Sequence, residues 1–285
     1  MSVASRYGSA QLRPFVESWK RHVAEAELVV FADRLPTEAA QYLEDAGVRV
    51  IPARFNLGNP TGWRKAWLRL GAGGWLRLLG VIRGRLGLGA HADSWHEGIS
   101  EAAFHLYAQR FFCYRRFLAQ FGWKYSDVLL VDIRDTLFQV SPFPSVGLHV
   151  FAENETIAQS HFARRWFQLS YGNRTFRRLG SFPLLCAGVT LGDGDSIRAY
   201  LECNCAESLK IAAVNDIDQA VHNYMVHRGL VPATIHAFGQ GPAINLNAMS
   251  LASLTVKNGR LLSADGRPFA IVHQYDRVVG LELAG

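Results

Sequence analysis

Cysteine is scarce, with four in 285 residues (Cys113, Cys186, Cys203 and Cys205), too few for a small scaffold stapled by disulfides. The Cys203-Asn204-Cys205 spacing is not that of a zinc site, so free, mostly buried thiols in a reducing compartment are expected. Long apolar runs are also missing. No stretch supplies about 18 uninterrupted apolar residues, and the opening MSVASRYGSAQLRPF lacks the apolar centre of a leader peptide. The expectation is a cytoplasmic chain, free or held peripherally at the inner face of a membrane. Acidic residues are the minority charge: 24 against 30 basic ones gives +6, which favours anionic partners without naming one. Only 19% of residues are charged while 49% are hydrophobic, which is not the composition of a disordered chain. With no internal repeat or long low-complexity linker, one domain over residues 1–285 is expected.

The chain opens on an α/β pattern. An amphipathic stretch from Gln11 to Ala24, a β-prone run Leu28 to Ala32, a helical stretch Thr37 to Ala46 and a second β-prone run Val48 to Pro52 follow one another, as at the start of a parallel sheet. Only Ser2 to Ser5 remain for a strand before the first helix, so that strand is either very short or missing its beginning. Gly58 to Asp93 reads as a basic, aromatic, glycine-rich insertion in which Trp63, Trp67 and Trp75 alternate with Arg64, Lys65, Arg69, Arg77, Arg83 and Arg85. It is either an excursion whose tryptophans pack back on the core or a surface for a lipid-linked or otherwise anionic acceptor. Nucleic acid is not the expected partner, since no aromatic platform on strands accompanies the arginines.

Gly98 to Phe121 reads as one long helix, and the apolar run Val128 to Val131 as a central parallel strand covered on both faces. Further along, strands are expected at His149 to Ala152 and Leu184 to Leu191, and helices at His161 to Ser170, Ser196 to Ala212 and Asp216 to Arg228. A β-prone tail follows at Leu254 to Val256, Phe269 to Val272 and Val278 to Leu283.

The chemistry-bearing residues cluster at element ends. In VLLVDIRDTLFQ, Asp132 and Asp135 leave a strand at the position where open α/β sheets bind ligands. Two carboxylates there repel each other unless a cation intervenes, and hard oxygen ligands suit Mg²⁺ or Mn²⁺. The plainer alternative is a turn cap with a salt bridge to Arg134. In IVHQYDR, His273 follows a late strand; as a third ligand it would favour Mn²⁺, and otherwise it is a satisfied core histidine. In NDIDQAVHN, Asp216, Asp218 and Gln219 lie at a helix start that Asn215 can cap, and Asn223 returns to the face of Gln219.

Taken in order, QRFFCYRRFL, VLLVDIRDTLFQ, CAGVTLG, DIDQAVHN and IVHQYDR resemble the GT-A-fold glycosyltransferases. The likeness is to the retaining, metal-dependent branch that includes glycogenin and the bacterial lipooligosaccharide galactosyltransferases, and it spans about Gln109 to Arg277. The resemblance implies a Rossmann-type, mixed but mostly parallel sheet flanked by helices, a nucleotide-sugar donor with uridine as the common base, and a carbohydrate or lipid-linked acceptor. It places the family's DxD motif on Asp132 to Asp135, with Arg134 displacing the second acid so that Asp135 replaces it. His273 is similar to the late metal-ligand histidine, Arg110 to the helix arginine that reaches the donor, and Asp218 with Gln219 to the pair beside the donor sugar. The family's Asn-Ala-Gly segment becomes Cys186, Ala187 and Gly188, and Tyr7 stands where a residue would stack on the base. A glutamine cannot act as a general base, so Gln219 implies a retaining path, while Glu153 would serve as base in an inverting one. Two other readings use the same acids: a metal-dependent sugar nucleotidyltransferase or phosphohydrolase, and a non-catalytic binding module on a decayed transferase fold.

Overall fold

A computed structural model of the chain describes residues 1–58, 61–64, 66–67, 97–211, 217–247 and 249–283. Most of the insertion expected at 58–93 lies outside the described residues, as do Asn215 and Asp216. In chain order the elements are β1 (Ser2–Ser5), α1 (Ser9–His22), β2 (Val29–Asp33), α2 (Thr37–Asp45), β3 (Arg49–Pro52), α3 (Leu106–Phe121), β4 (Asp127–Val131), β5 (Thr136–Phe138) and β6 (Leu148–Thr156). They continue with α4 (His161–Leu179), β7 (Pro183–Asp193), α5 (Gly194–Ser208), α6 (Asp218–His227), β8 (Thr234–His236), β9 (Ala243–Asn245), β10 (Thr255–Lys257), β11 (Arg260–Leu262) and β12 (Ile271–His273).

The architecture is mixed α/β. Strands β1, β2 and β3 form a parallel sheet in that order, with α1 and α2 as its crossovers. A four-stranded sheet, β4-β7-β6-β8, abuts it where the Val131 N–H donates to the Met1 carbonyl at 3.1 Å. Here the expectation of parallel neighbours for β4 is corrected: β7 runs antiparallel to it. The run Val128 to Val131 reports burial on both faces, which is met, and burial says nothing of a neighbour's direction. Val128 and Leu130 pack with α3, α5 and α6, whereas Leu129 and Val131 pack with α1 and α2.

A third sheet, β5-β12-β9, carries the end of the chain back to the loop after β4. Asn258 and Gly259, both at positive φ, turn the β10–β11 hairpin, as a two-residue Asn-Gly connection does. Val278 to Leu283 is not a strand, since Gln274 in the left-handed region turns the chain into a short 3₁₀ turn at Tyr275–Arg277. The helix expected from Gly98 is also interrupted. Asn56 takes both backbone groups at the break, accepting from Leu106 N–H at 2.8 Å and donating to the Phe104 carbonyl at 2.9 Å, so α3 starts afresh after His105. The aromatic pattern runs straight through that break and hides it. Helix α4 passes the expected end at Ser170 by bending at Gly172 (φ 76°) and continuing to Leu179.

Candidate active site

Among the described residues, Asp132, Asp135 and His273 each present a ligand atom, and these atoms lie within 4.8 Å of one another. Three short elements bring them together. Asp132 leaves β4 with its N–H on the Gly188 carbonyl (3.0 Å), Asp135 precedes β5, and β12 pairs antiparallel with β5 so that His273 faces Thr136. Thr136 Oγ1 lies 3.0 Å from His273 Nδ1 and an Asp135 oxygen lies 3.5 Å from it, so two oxygens favour the tautomer protonated at Nδ1. That tautomer leaves the Nε2 lone pair for a metal. Burial pushes the Asp135 carboxyl up, His273 pulls it back, and Asp132 and Asp276 raise it again. Arg134 points away and pairs with Asp276 at 3.6 Å, so the turn-cap reading with an Arg134 salt bridge is not what forms.

Gly188 makes the space that the ligands share. A Cβ built on it would stand 2.5 Å from His273 Nε2 and 2.8 Å from Asp132 Oδ2, so both atoms face the volume that the glycine leaves open. The residues therefore fit a divalent ion: two carboxylates and one imidazole lie together, and a side chain at position 188 would fill the space that Asp132 and His273 face.

Arg110, on the buried face of α3, braces this cluster from behind. Its guanidinium bonds Asp132 Oδ1, Asp218 Oδ2 at 3.0 Å and the Ala187 carbonyl at 3.2 Å, while its Nε has no partner. Burial opposes the charge, but Asp132 and Asp218 outweigh it and hold the guanidinium protonated. With one Asp132 oxygen committed to Arg110, Oδ2 is the oxygen left for a metal.

Next to this cluster α6 starts with Asp218 and Gln219. Asn223 and Gln219 share a face because both serve the irregular edge of β7. Asn223 makes paired bonds to the Leu185 N–H and carbonyl, each 2.8 Å, where the β6–β7 register shifts. Gln219 Nε2 reaches Leu185 O at 3.3 Å and Glu153 at 2.7 Å, and its Oε1 has no partner among the described residues. Glu153, buried on β6, also accepts from Asn247 at 3.1 Å; its own burial raises its pKa, with the two amide donors opposing. Tyr7, following β1, has its pKa raised by burial and then by the nearby Asp132, which sets it beside the same cluster. Each described residue singled out from sequence thus falls in one region at the carboxyl ends of β1 and β4. Sequence reasoning missed Thr136, which the motif places beside Asp135 but whose pairing with His273 depends on register, and Asn247, which carries no signal.

A cavity of about 450 Å³ lined by Phe15, Trp19, Leu28 and Phe117 lies at the opposite ends of β2 and β4. Its wall brings together none of the metal-ligating cluster of Asp132, Asp135 and His273.

No protein-family profile and no curated protein matches the sequence. Among solved structures the chain is similar to that of an active-site mutant of LgtC, at 13% identity over 95% of this chain and 85% of that one, with a TM-score of 0.46. A likeness of that degree leaves the reading of the site to its own residues.

Proposed function

We propose that this chain is a GT-A-like, metal-dependent glycosyltransferase that moves a sugar from a nucleotide-diphosphate sugar, a UDP-sugar first, to a hydroxyl of a glycan or glycolipid with retention of configuration. One observation carries the reading: Asp132, Asp135 and His273 bring ligand atoms within 4.8 Å of one another, and Asp132 Oδ2 and His273 Nε2 face the space left by Gly188, with a polar wall of Asp218, Gln219 and Glu153 beside it. A bound Mn²⁺, or Mg²⁺, would offset the charge that collects on a leaving diphosphate. Asp132, Asp135 and His273 would hold it. Arg110 keeps Asp132 and Asp218 a fixed distance apart, so the metal side and the sugar side of the site move together. Ala187 and Gly188 line the path between those sides, and Tyr7 flanks the side where the base would stack. Gln219, whose amide oxygen has no partner among the described residues, would offer it to a sugar hydroxyl and cannot take a proton, so the acceptor proton passes to the departing phosphate oxygen.

Calorimetry with UDP and with GDP, each with and without Mn²⁺, tests the metal role. Nucleotide and metal are expected to strengthen one another's binding, because the diphosphate completes the coordination of the ion. Equal nucleotide affinity in excess EDTA would sink the proposal. Gln219→Ala separates the sugar from the metal side: metal-dependent UDP binding stays near wild type while turnover falls roughly 10- to 100-fold, the pattern of an interaction made mainly in the transition state. Unaltered turnover removes Gln219 from the mechanism. NMR of the product's anomeric proton reports configuration, and an inverted product would shift the role of base to Glu153.

A further inference from the structure

Helix α4 carries two apolar stripes where a surface helix needs one. Ala163 and Phe167 point inward and pack with Leu179, Leu184 and Ala220. On an adjoining face Phe162 and Leu169, spaced i and i+7, form a second, outward stripe, with the half-buried Trp166 between them packing partly on that same core. Phe162 is 64% exposed and Leu169 65% exposed, and the Phe162 and Trp166 rings stack with centroids 5.8 Å apart. No core stands above Phe162 and Leu169 among the described residues.

The charge around it has one sign. From Thr156 to Gly192 there is no aspartate or glutamate, while Arg164, Arg165, Arg174, Arg177 and Arg178 all lie exposed on α4. Arg164 covers the Phe176 ring at 5.5 Å, and the other four make no ion pair among the described residues. Arg174, Arg177 and Arg178, at i, i+3 and i+4, share one face beyond the bend at Gly172. Arg110, Arg115 and Arg116 are by contrast paired with acids, and what sets α4 apart is that its arginines are grouped on one helix.

We infer that the outer face of α4 docks on an anionic lipid bilayer. A short stripe of phenylalanine, tryptophan and leucine flanked by arginines matches the headgroup boundary, where the rings and the leucine enter the acyl edge and the guanidiniums meet phosphates. Nucleic acid would satisfy the arginines but gives no apolar medium to Leu169. A protein partner would need an acidic surface with an apolar centre, and the convex helix offers no groove to seat one. The face is also well placed, since Phe167 and Ala163 pack on Ala220, the residue after Gln219. A docked bilayer would therefore lie about one helix diameter from that side chain. The inference concerns docking alone, and its success or failure is separate from glycosyl transfer.

The test is flotation of the full chain with vesicles of phosphatidylcholine alone and of one part phosphatidylglycerol to three parts phosphatidylcholine. Partition into the anionic vesicles and not the neutral ones is expected, weakened by high salt. Two variants are compared, the pair Phe162→Ser with Leu169→Ser and the triple Arg174→Gln, Arg177→Gln, Arg178→Gln. Each should lower the partition coefficient at least tenfold with an unchanged circular dichroism spectrum. Undiminished binding by both variants would assign any membrane contact to another surface and overturn the inference, as would absence of binding to anionic vesicles. Binding that needs the arginines but not Phe162 and Leu169, and that heparin or single-stranded RNA reproduces, would overturn it in favour of a polyanion site.

Discussion

Gly188→Ala is expected to abolish metal-dependent nucleotide binding while leaving the chain folded. The added Cβ would sit 2.5 Å from His273 Nε2, and the imidazole is only 2% exposed and held at Nδ1 by Thr136, so it has little room to retreat. Asp132 could rotate away only by leaving Arg110, to which its other oxygen is bonded. The methyl group thus occupies the volume where the ion would lie. Mn²⁺ affinity, read by electron paramagnetic resonance or calorimetry, should fall by roughly 100-fold or more, at or beyond the upper end of what disturbing a ligand's support costs. Gly8→Ala is the control, because nothing lies within 4 Å of a Cβ there. Mn²⁺ affinity within a few-fold of wild type in Gly188→Ala would mean that the three residues are not the metal site.

Arg110→Met is expected to cost the most stability of any single change near the site. The guanidinium is buried between two carboxylates, and its removal takes a cation from beside Asp218, whose side chain is 12% exposed. Breaking a buried ion pair from one side costs about 3–5 kcal/mol, and Asp132, at 36% exposure, recovers part of its solvation, so a loss of about 3 kcal/mol is the expected result in urea unfolding. The sign with pH is fixed by the folded pKa of Arg110, which its two partners raise above the ordinary value. Its contribution is therefore fully present across the neutral and mildly alkaline range and is lost only where arginine itself deprotonates. Arg110→Lys should recover part of the loss, since a point charge replaces the fork that bonds Asp132, Asp218 and Ala187 at once. A methionine variant as stable as wild type would show that the cluster tolerates its own charge.

What could be read from sequence was what local chemistry dictates. Asp132 and Asp135 at the end of an unbroken apolar strand, and His273 just after another, are visible because strand ends are where such sheets expose side chains. The partnership of Gln219 with Glu153 was not visible, because it crosses from α6 to β6 through a register shift that no spacing announces. The pairing of β4 with an antiparallel β7 was hidden for a related reason: a strand buried on both faces looks the same whichever way its neighbour runs. The interruption before α3 was masked by the aromatic face on either side of it, and only the hydrogen bonds of Asn56 explain it. Resemblance puts Gly188 only in a donor-binding segment, whereas its missing side chain leaves His273 Nε2 and Asp132 Oδ2 a common space.

The bond between Thr136 and His273 joins residues 137 positions apart, through a strand only three residues long. Both carboxylates precede β12 in the chain, so the three ligand groups meet only when β12 pairs with β5. An ion held by these three residues would report the docking of β12 on β5. Once in place, the ion would act as a clasp between early and late chain, and stripping it should release the last strand first.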